Sequence, residues 1–212
     1  MAPEANTRLE HLLWQLGYNG VAGVDEVGLG PLAGPVVAAA VIFTPHSKIL
    51  LPLADSKRLP PKRRDELDTA IRETALAFAF GVVDVEELDA LGVHRAGLEA
   101  MRRAVVALSP PPDYLLVDAR VVPGVSVGQT SYVKADTFIY SVAAASIVAK
   151  VYRDRRMLEL SSRFPGYGFD LHMGYGTPAH LNALARLGPS AVHRRSFEPV
   201  RALLGLPSGD RT

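Results

Sequence analysis

Ala22-Gly23-Val24-Asp25-Glu26-Val27-Gly28-Leu29-Gly30-Pro31-Leu32-Ala33-Gly34-Pro35 sets two adjacent carboxylates at the end of an apolar run and follows them with a glycine-rich turn. Carboxylate oxygens suit hard divalent cations such as Mg²⁺ or Mn²⁺, and glycines let backbone N–H groups approach a ligand that carries oxygens of its own. A phosphodiester is such a ligand. In an arbitrary chain an Asp-Glu pair is a surface turn after a strand. Here apolar runs lie on both sides, so the pair must be hydrogen-bonded, ion-paired or metal-bound.

Working outward, 20–25 and 35–43 read as strands around the turn, the second a continuous Val/Ala/Ile run typical of burial on both faces. Upstream, Thr7-Arg8-Leu9-Glu10 reads as a capping box for a short helix through Leu16, closed by Gly17. Downstream, Pro60-Pro61 opens a charged helix to about Ala75, 76–83 is a strand, and a helix over 93–108 ends at Pro110-Pro111-Pro112. Tyr114-Leu115-Leu116-Val117-Asp118 is a buried strand ending in a carboxylate, 137–163 a long alanine-rich helix, and 177–187 a last helix. The expected architecture is α/β. Its divisions are a lead-in at 1–19, a catalytic domain at 20–163, a C-terminal helical lobe at 164–206 packed on it, and a tail at 207–212 expected to be disordered.

With 212 residues and 48% hydrophobic content, the chain can bury one full core. A net charge of +1 leaves any polyanion site to local clusters of Lys and Arg. The absence of cysteine excludes disulfides and thiolate zinc sites. No basic-then-apolar leader and no uninterrupted membrane-length run occurs, so the expectation is a cytoplasmic protein without membrane attachment.

Further carboxylates sort by setting. Asp118 ends a strand, where α/β folds put ligand-binding groups, and is a candidate to join Asp25 and Glu26. Asp136 stands before the long helix, where helix N-cap and active-site group are both open. Asp154 is expected to pair with neighbouring arginines. Among the cations, Lys57 is the first choice for a phosphate contact, Lys62 to Arg64 read as a solvated helix start, and Arg194-Arg195 suit either a phosphate or Glu198. His172, His180 and His193 lack metal-site spacing and read as structural.

Together these segments resemble a bacterial ribonuclease HII, an endonuclease that cuts the RNA strand of RNA–DNA hybrids. The resemblance runs from about Gly20 to Val200. It is carried by 23–28 through Gly34-Pro35, Asp55-Ser56-Lys57, Val117-Asp118, Lys134-Ala135-Asp136 leading into 143–150, Gly166-Tyr167-Gly168-Phe169, Gly174-Tyr175-Gly176-Thr177 and His193-Arg194-Arg195-Ser196-Phe197. It implies a ribonuclease H-like fold, a mixed central sheet flanked by helices, and a monomer. It matches Asp25, Glu26, Asp118 and Asp136 to the family's four acidic active-site residues, and implies a cut 5′ of a ribonucleotide that leaves 3′-hydroxyl and 5′-phosphate ends. Gly28, Leu29, Gly30 and Tyr175 correspond in position to its ribose-junction sensor, although a Tyr between glycines also suits packing on the core.

Four carboxylates can hold two divalent ions, Mn²⁺ or Mg²⁺, about 4 Å apart for an in-line displacement at phosphorus. Choosing ribose over deoxyribose requires reading the 2′-hydroxyl. The chain departs from the family pattern at Leu29, where most members carry Arg, and at Met173, where Lys is common. The expected partners are RNA–DNA hybrid and ribonucleotide-containing duplex DNA, bound with a shallower salt dependence than in typical relatives. Ribonuclease HIII-like hybrid cutting without junction preference, and a weakly catalytic nucleic-acid-binding relative, are the alternatives. A dinucleotide enzyme is excluded because 35–43 reads as strand where that fingerprint needs a helix, and Asp25-Glu26 would repel a pyrophosphate.

Overall fold

The computed structural model describes residues 5–47, 51–53, 56 and 59–207. In chain order the elements are α1 (Arg8–Gln15), β1 (Val21–Val27), β2 (Val36–Ile42), α2 (Pro61–Thr74), β3 (Ala77–Val83), α3 (Val85–Leu91), α4 (Val93–Val106), β4 (Tyr114–Asp118), β5 (Gly128–Tyr132), α5 (Tyr140–Arg163), α6 (Phe169–His172), α7 (Pro178–Leu187) and α8 (Glu198–Leu203). The strands form one sheet in the order β3-β2-β1-β4-β5. β1 pairs antiparallel with β2 and parallel with β4, so the sheet is mixed.

The β2 run is buried at every position because both faces of the sheet are covered. Val36, Ala38, Ala40 and Ile42 face α4, whereas Val37, Ala39 and Val41 face α5. Each Val or Ile side chain sealed this way stabilises the fold by about 1.5–3 kcal/mol. The alanines serve a second purpose: they let helices approach closely. Gly23 takes this further, since a Cβ there would run into the backbone of Ser141 and Val142 at the start of α5.

A third cluster joins Leu32 and Ala33 of the loop after β1 to Met157 of α5, Phe169, Leu184 and Val200. Through it the C-terminal segments pack against the loop between β1 and β2. No helix among the described residues is long and apolar enough to cross a membrane.

Several local expectations give way to tertiary contacts. Thr7 makes no side-chain cap, and Glu10, expected to complete a capping box, is buried. Its Oε1 accepts from the backbone N–H and the hydroxyl of Ser141, both at 2.8 Å. Glu10 thus caps α5, a helix far along the chain. Desolvation raises its pKa, against the lowering effect of the Ser141 bonds. Glu10→Ala is expected to cost about 2 kcal/mol, because it strands two buried donors. Urea unfolding measures this, and an unchanged midpoint would mean that Ser141 has another acceptor.

The long helix begins at Tyr140, three residues later than expected, after a 3₁₀ turn at Ala135–Thr137. Asp136 lies in that turn and is not the helix N-cap, a position held by Ile139. β5 escapes a periodicity reading because Gly128-Gln129-Thr130-Ser131-Tyr132 is polar throughout and lies at the sheet edge. The short helices α3, α6 and α8 likewise carry too few turns to show a period. Residues 208–212, most of the expected tail, lie outside the described residues.

Candidate active site

β1 does not end at the acidic pair. It continues to Val27, with Asp25 opposite Ala39 and Glu26 opposite Ala38, and the turn starts at Gly28. Successive strand residues point to opposite faces, so the two carboxylates straddle the sheet. Asp25 faces α5, where the Ser146 hydroxyl donates to it. Glu26 faces α4 and lines a cleft of about 150 Å³ with Leu29, Gly97, Asp118 and Arg120.

The parallel neighbour supplies the next acid. Val117 of β4 is opposite Val24, which brings Asp118 level with Asp25. Asp118 Oδ1 accepts the Ala135 N–H at 2.7 Å, and this anchors the 3₁₀ turn that carries the buried Asp136. Burial pushes the Asp25 pKa well above the usual carboxylate range, and Glu26, Asp118 and Asp136 each push it further; only the Ser146 hydrogen bond pulls it down. The four expected acids are therefore electrostatic neighbours.

All-oxygen donors under mutual repulsion fit a hard divalent cation. Among the described residues no three His, Cys, Asp or Glu side chains close into a ligand set. Asp25 is engaged by the Glu26 N–H at 2.8 Å, and Asp118 holds Ala135.

Behind Asp25 lies a hydroxyl chain that the motif reading missed. Ser146 Oγ is 2.9 Å from Ser56 Oγ, and both residues are buried. Either hydroxyl of this pair can be the donor. A serine among the buried alanines of α5 was the signal available in the sequence. Lys57, the expected phosphate contact beside Ser56, lies outside the described residues.

The glycine turn has a backbone only glycine tolerates at its first residue. Gly28 has φ +101°, and a Cβ there would meet the Arg153 side chain and the Pro35 carbonyl. Leu29 turns inward to the α4 cluster, its methyl occupying the space that a side chain at Gly97 would fill. Tyr175 is 42% exposed and its ring lies beside Gly30, so it is not a core residue.

Two expectations for cations are corrected. Arg194 is fully buried and donates to the carbonyls of Gly28, Leu29, Gly34 and Pro35, which leaves it no access to a phosphate. Arg195 does not pair with Glu198, which pairs with Arg201; its backbone N–H donates to Asp89 and its side chain is exposed, where a phosphate can reach it. Asp154 pairs with Lys150 at 2.6 Å and with Arg64 at 3.6 Å, not with the arginines next to it, which point elsewhere on the helix. Arg64 is thereby held in place and also donates to the Ser56 and Leu59 carbonyls, unlike the exposed Lys62 and Arg63.

The histidines hydrogen-bond among themselves and to the backbone. His180 Nε2 lies 3.1 Å from His193 Nε2, and His180 Nδ1 lies 2.9 Å from the Tyr175 carbonyl. Burial first, and then the neighbouring His180, lower the His193 pKa to about 4, and burial lowers that of His180 as well. A larger cleft, about 540 Å³, opens between α3 and the 189–195 segment, but none of the four clustered acids lines it.

A mixed five-stranded sheet covered on both faces, with acids gathered where its two central parallel strands end, defines the ribonuclease H-like class of α/β proteins. The sequence pattern of the family described as Ribonuclease HII matches residues 22–200. A ribonuclease HII of Myxococcus xanthus is 52% identical over 203 residues, 95% of this chain and 69% of that protein. One of Geobacter sulfurreducens is 52% identical over 189 residues, 89% of this chain and 87% of that protein. Among solved structures, the ribonuclease H2 of Pyrococcus horikoshii superposes with a TM-score of 0.72 at 27% identity, covering 86% of this chain and 96% of that one. This chain belongs to the ribonuclease HII family, and it is a ribonuclease H endonuclease.

Proposed function

We propose that the chain hydrolyses the RNA strand of RNA–DNA hybrids and cuts 5′ of ribonucleotides embedded in duplex DNA, using divalent cations held by Asp25, Glu26, Asp118 and Asp136. The observation that carries this reading is geometric: the parallel register sets Asp118 of β4 level with Asp25 of β1 next to Glu26, and the Ala135 N–H bond to Asp118 ties the 3₁₀ turn of Asp136 to them. Such crowding destabilises an apo-protein and is relieved when cations bind.

Bound Mn²⁺ or Mg²⁺ would supply the charge that activates an attacking water and steadies the leaving 3′ oxygen. The chain's own residues orient the acids. Ser146 fixes the Asp25 carboxylate, and the Ala135 N–H fixes Asp118. Beside them the N–H groups of Leu29 and Gly30 donate to no group among the described residues and are available to a sugar 2′-hydroxyl, with Tyr175 as the second contact.

Three duplexes test the reading: one with a single embedded ribonucleotide, a continuous RNA–DNA hybrid, and all DNA, each with Mg²⁺, Mn²⁺ or chelator. Metal-dependent cutting of the first two, mapped to the 5′ side of the ribonucleotide, is expected. Cleavage of all-DNA duplex, or activity in chelator, overturns it; cutting of the continuous hybrid alone favours the ribonuclease HIII-like alternative. With Leu29 packed on α4, no side-chain cation extends from the turn. Leu29→Arg is therefore expected to steepen the logarithmic salt dependence of binding by about one unit. Identical slopes across a salt series would sink that expectation.

A further inference from the structure

Arg153 and Arg194 are both 0% exposed, and among the described residues neither makes an ion pair. Their guanidinium groups bond only to carbonyls. Arg153 donates to Pro35 at 2.9 Å, Met173 at 3.1 Å and Ala33 at 3.2 Å. Arg194 donates to Gly28 at 2.6 Å, Gly34 at 2.8 Å, Leu29 at 3.0 Å and Pro35 at 3.3 Å, and its guanidinium lies over the Phe197 ring, 5.3 Å from the centroid.

Burying two unpaired cations side by side is an expensive way to stabilise a loop. Desolvation and then mutual repulsion lower the Arg194 pKa to about 9. Apolar side chains of similar volume fill space without that penalty. What the arginines achieve, and apolar groups would not, is direction. Carbonyls of the 28–35 loop point inward to the two forks, while the Leu29 and Gly30 N–H groups are left uncommitted. Arg153 also grips Met173, two residues from Tyr175, and the Leu32 N–H donates to Gly174 at 2.8 Å. Turn and tyrosine are thereby held at one spacing.

We propose that Arg153 and Arg194 are positioning residues for ribose selection, aligning the N–H groups of Leu29 and Gly30 with Tyr175 on opposite sides of the bound sugar. The proposal rests on the reading of that turn given above. Both residues act through backbone they hold, and neither touches substrate.

A merely structural role lowers the amount of folded protein, and this scales apparent affinity equally for every ligand. The ratio of two dissociation constants is free of that effect. The test therefore measures binding in chelator, by fluorescence anisotropy, to a duplex with one embedded ribonucleotide and to the all-DNA duplex of the same sequence. Arg194→Lys keeps the charge and loses the fork, while Phe197→Leu keeps every donor and removes the ring beneath it, which guards against a lysine variant that fails to fold. The preference for the ribonucleotide duplex is expected to fall about tenfold in Arg194→Lys and measurably in Phe197→Leu. An unchanged ratio in folded Arg194→Lys, or in Phe197→Leu should the lysine variant not fold, overturns the proposal and leaves the arginines as scaffold. A wild-type ratio of one overturns the ribose reading itself, and the proposal with it.

Discussion

Asp25→Asn is expected to abolish cleavage and at the same time raise the melting temperature. The loss follows from removing one of four proposed cation ligands, and a fall of about 10³-fold or more in kcat is the scale on which active-site electrostatics operate. The gain follows from the surroundings of Asp25. Burial, then Glu26 and Asp118, then Asp136, oppose its ionisation, and an amide carries none of that charge while still accepting the Ser146 hydroxyl. Because the folded-state pKa is raised, the native protein binds its proton more tightly than the unfolded chain. The stability this contributes is fully present below the unfolded value of 3.8 and is lost as pH rises through the folded pKa. At neutral pH wild type thus bears a penalty that the variant does not. At about 2–4 °C per kcal/mol in a chain of this length, removing that penalty reads out directly as a higher melting temperature. Calorimetry across pH checks it: the advantage should shrink on acidification toward pH 4, and Mn²⁺ should raise the wild-type melting temperature more than the variant's. Wild-type activity in the variant, or a lower melting temperature at neutral pH, contradicts the assignment.

Gly23→Ala is expected to be a severely damaging methyl addition in the sheet. The new carbon would collide with the backbone of Ser141 and Val142, which no rotamer change relieves. α5 must then withdraw from β1, and its withdrawal carries Ser146 away from Asp25 and the Ser141 donors away from Glu10. Overpacking of this kind costs about 3 kcal/mol or more, or roughly 6–12 °C in melting temperature at this chain length. Scanning calorimetry measures it, and a melting temperature within two degrees of wild type, by the same scale of about 2–4 °C per kcal/mol, would show that the helix–sheet contact is looser than it looks. Activity should fall even below the transition, since the displaced helix carries the Asp25 hydrogen bond.

Residues whose role is set by nearest neighbours in the chain were legible without coordinates. The Val/Ala/Ile run of β2 requires cover on both faces wherever it sits, and the alanines of α5 suit a helix lying close on a sheet. Asp118, at the end of a short apolar run, could be read as a site residue because α/β folds put ligand-binding groups at strand ends. Asp136 stood open between cap and site, and only the Asp118–Ala135 hydrogen bond decides its surroundings. Arg194 suits a phosphate or Glu198 on its sequence alone, because a sequence shows an arginine's charge and not its burial.

The amino-acid sequence by itself determined the four apolar strands, the longer helices, the candidate acids and the family, since each depends on side-chain type and local spacing. Tertiary structure alone decided that Asp25 and Glu26 straddle the sheet, that Glu10 caps a helix more than a hundred residues away, and that Leu29 faces α4 while two arginines hold the turn from behind. These follow from chain segments meeting across the fold. Burial there converts a charge from a surface group into a backbone anchor, and no local pattern encodes which segments will meet.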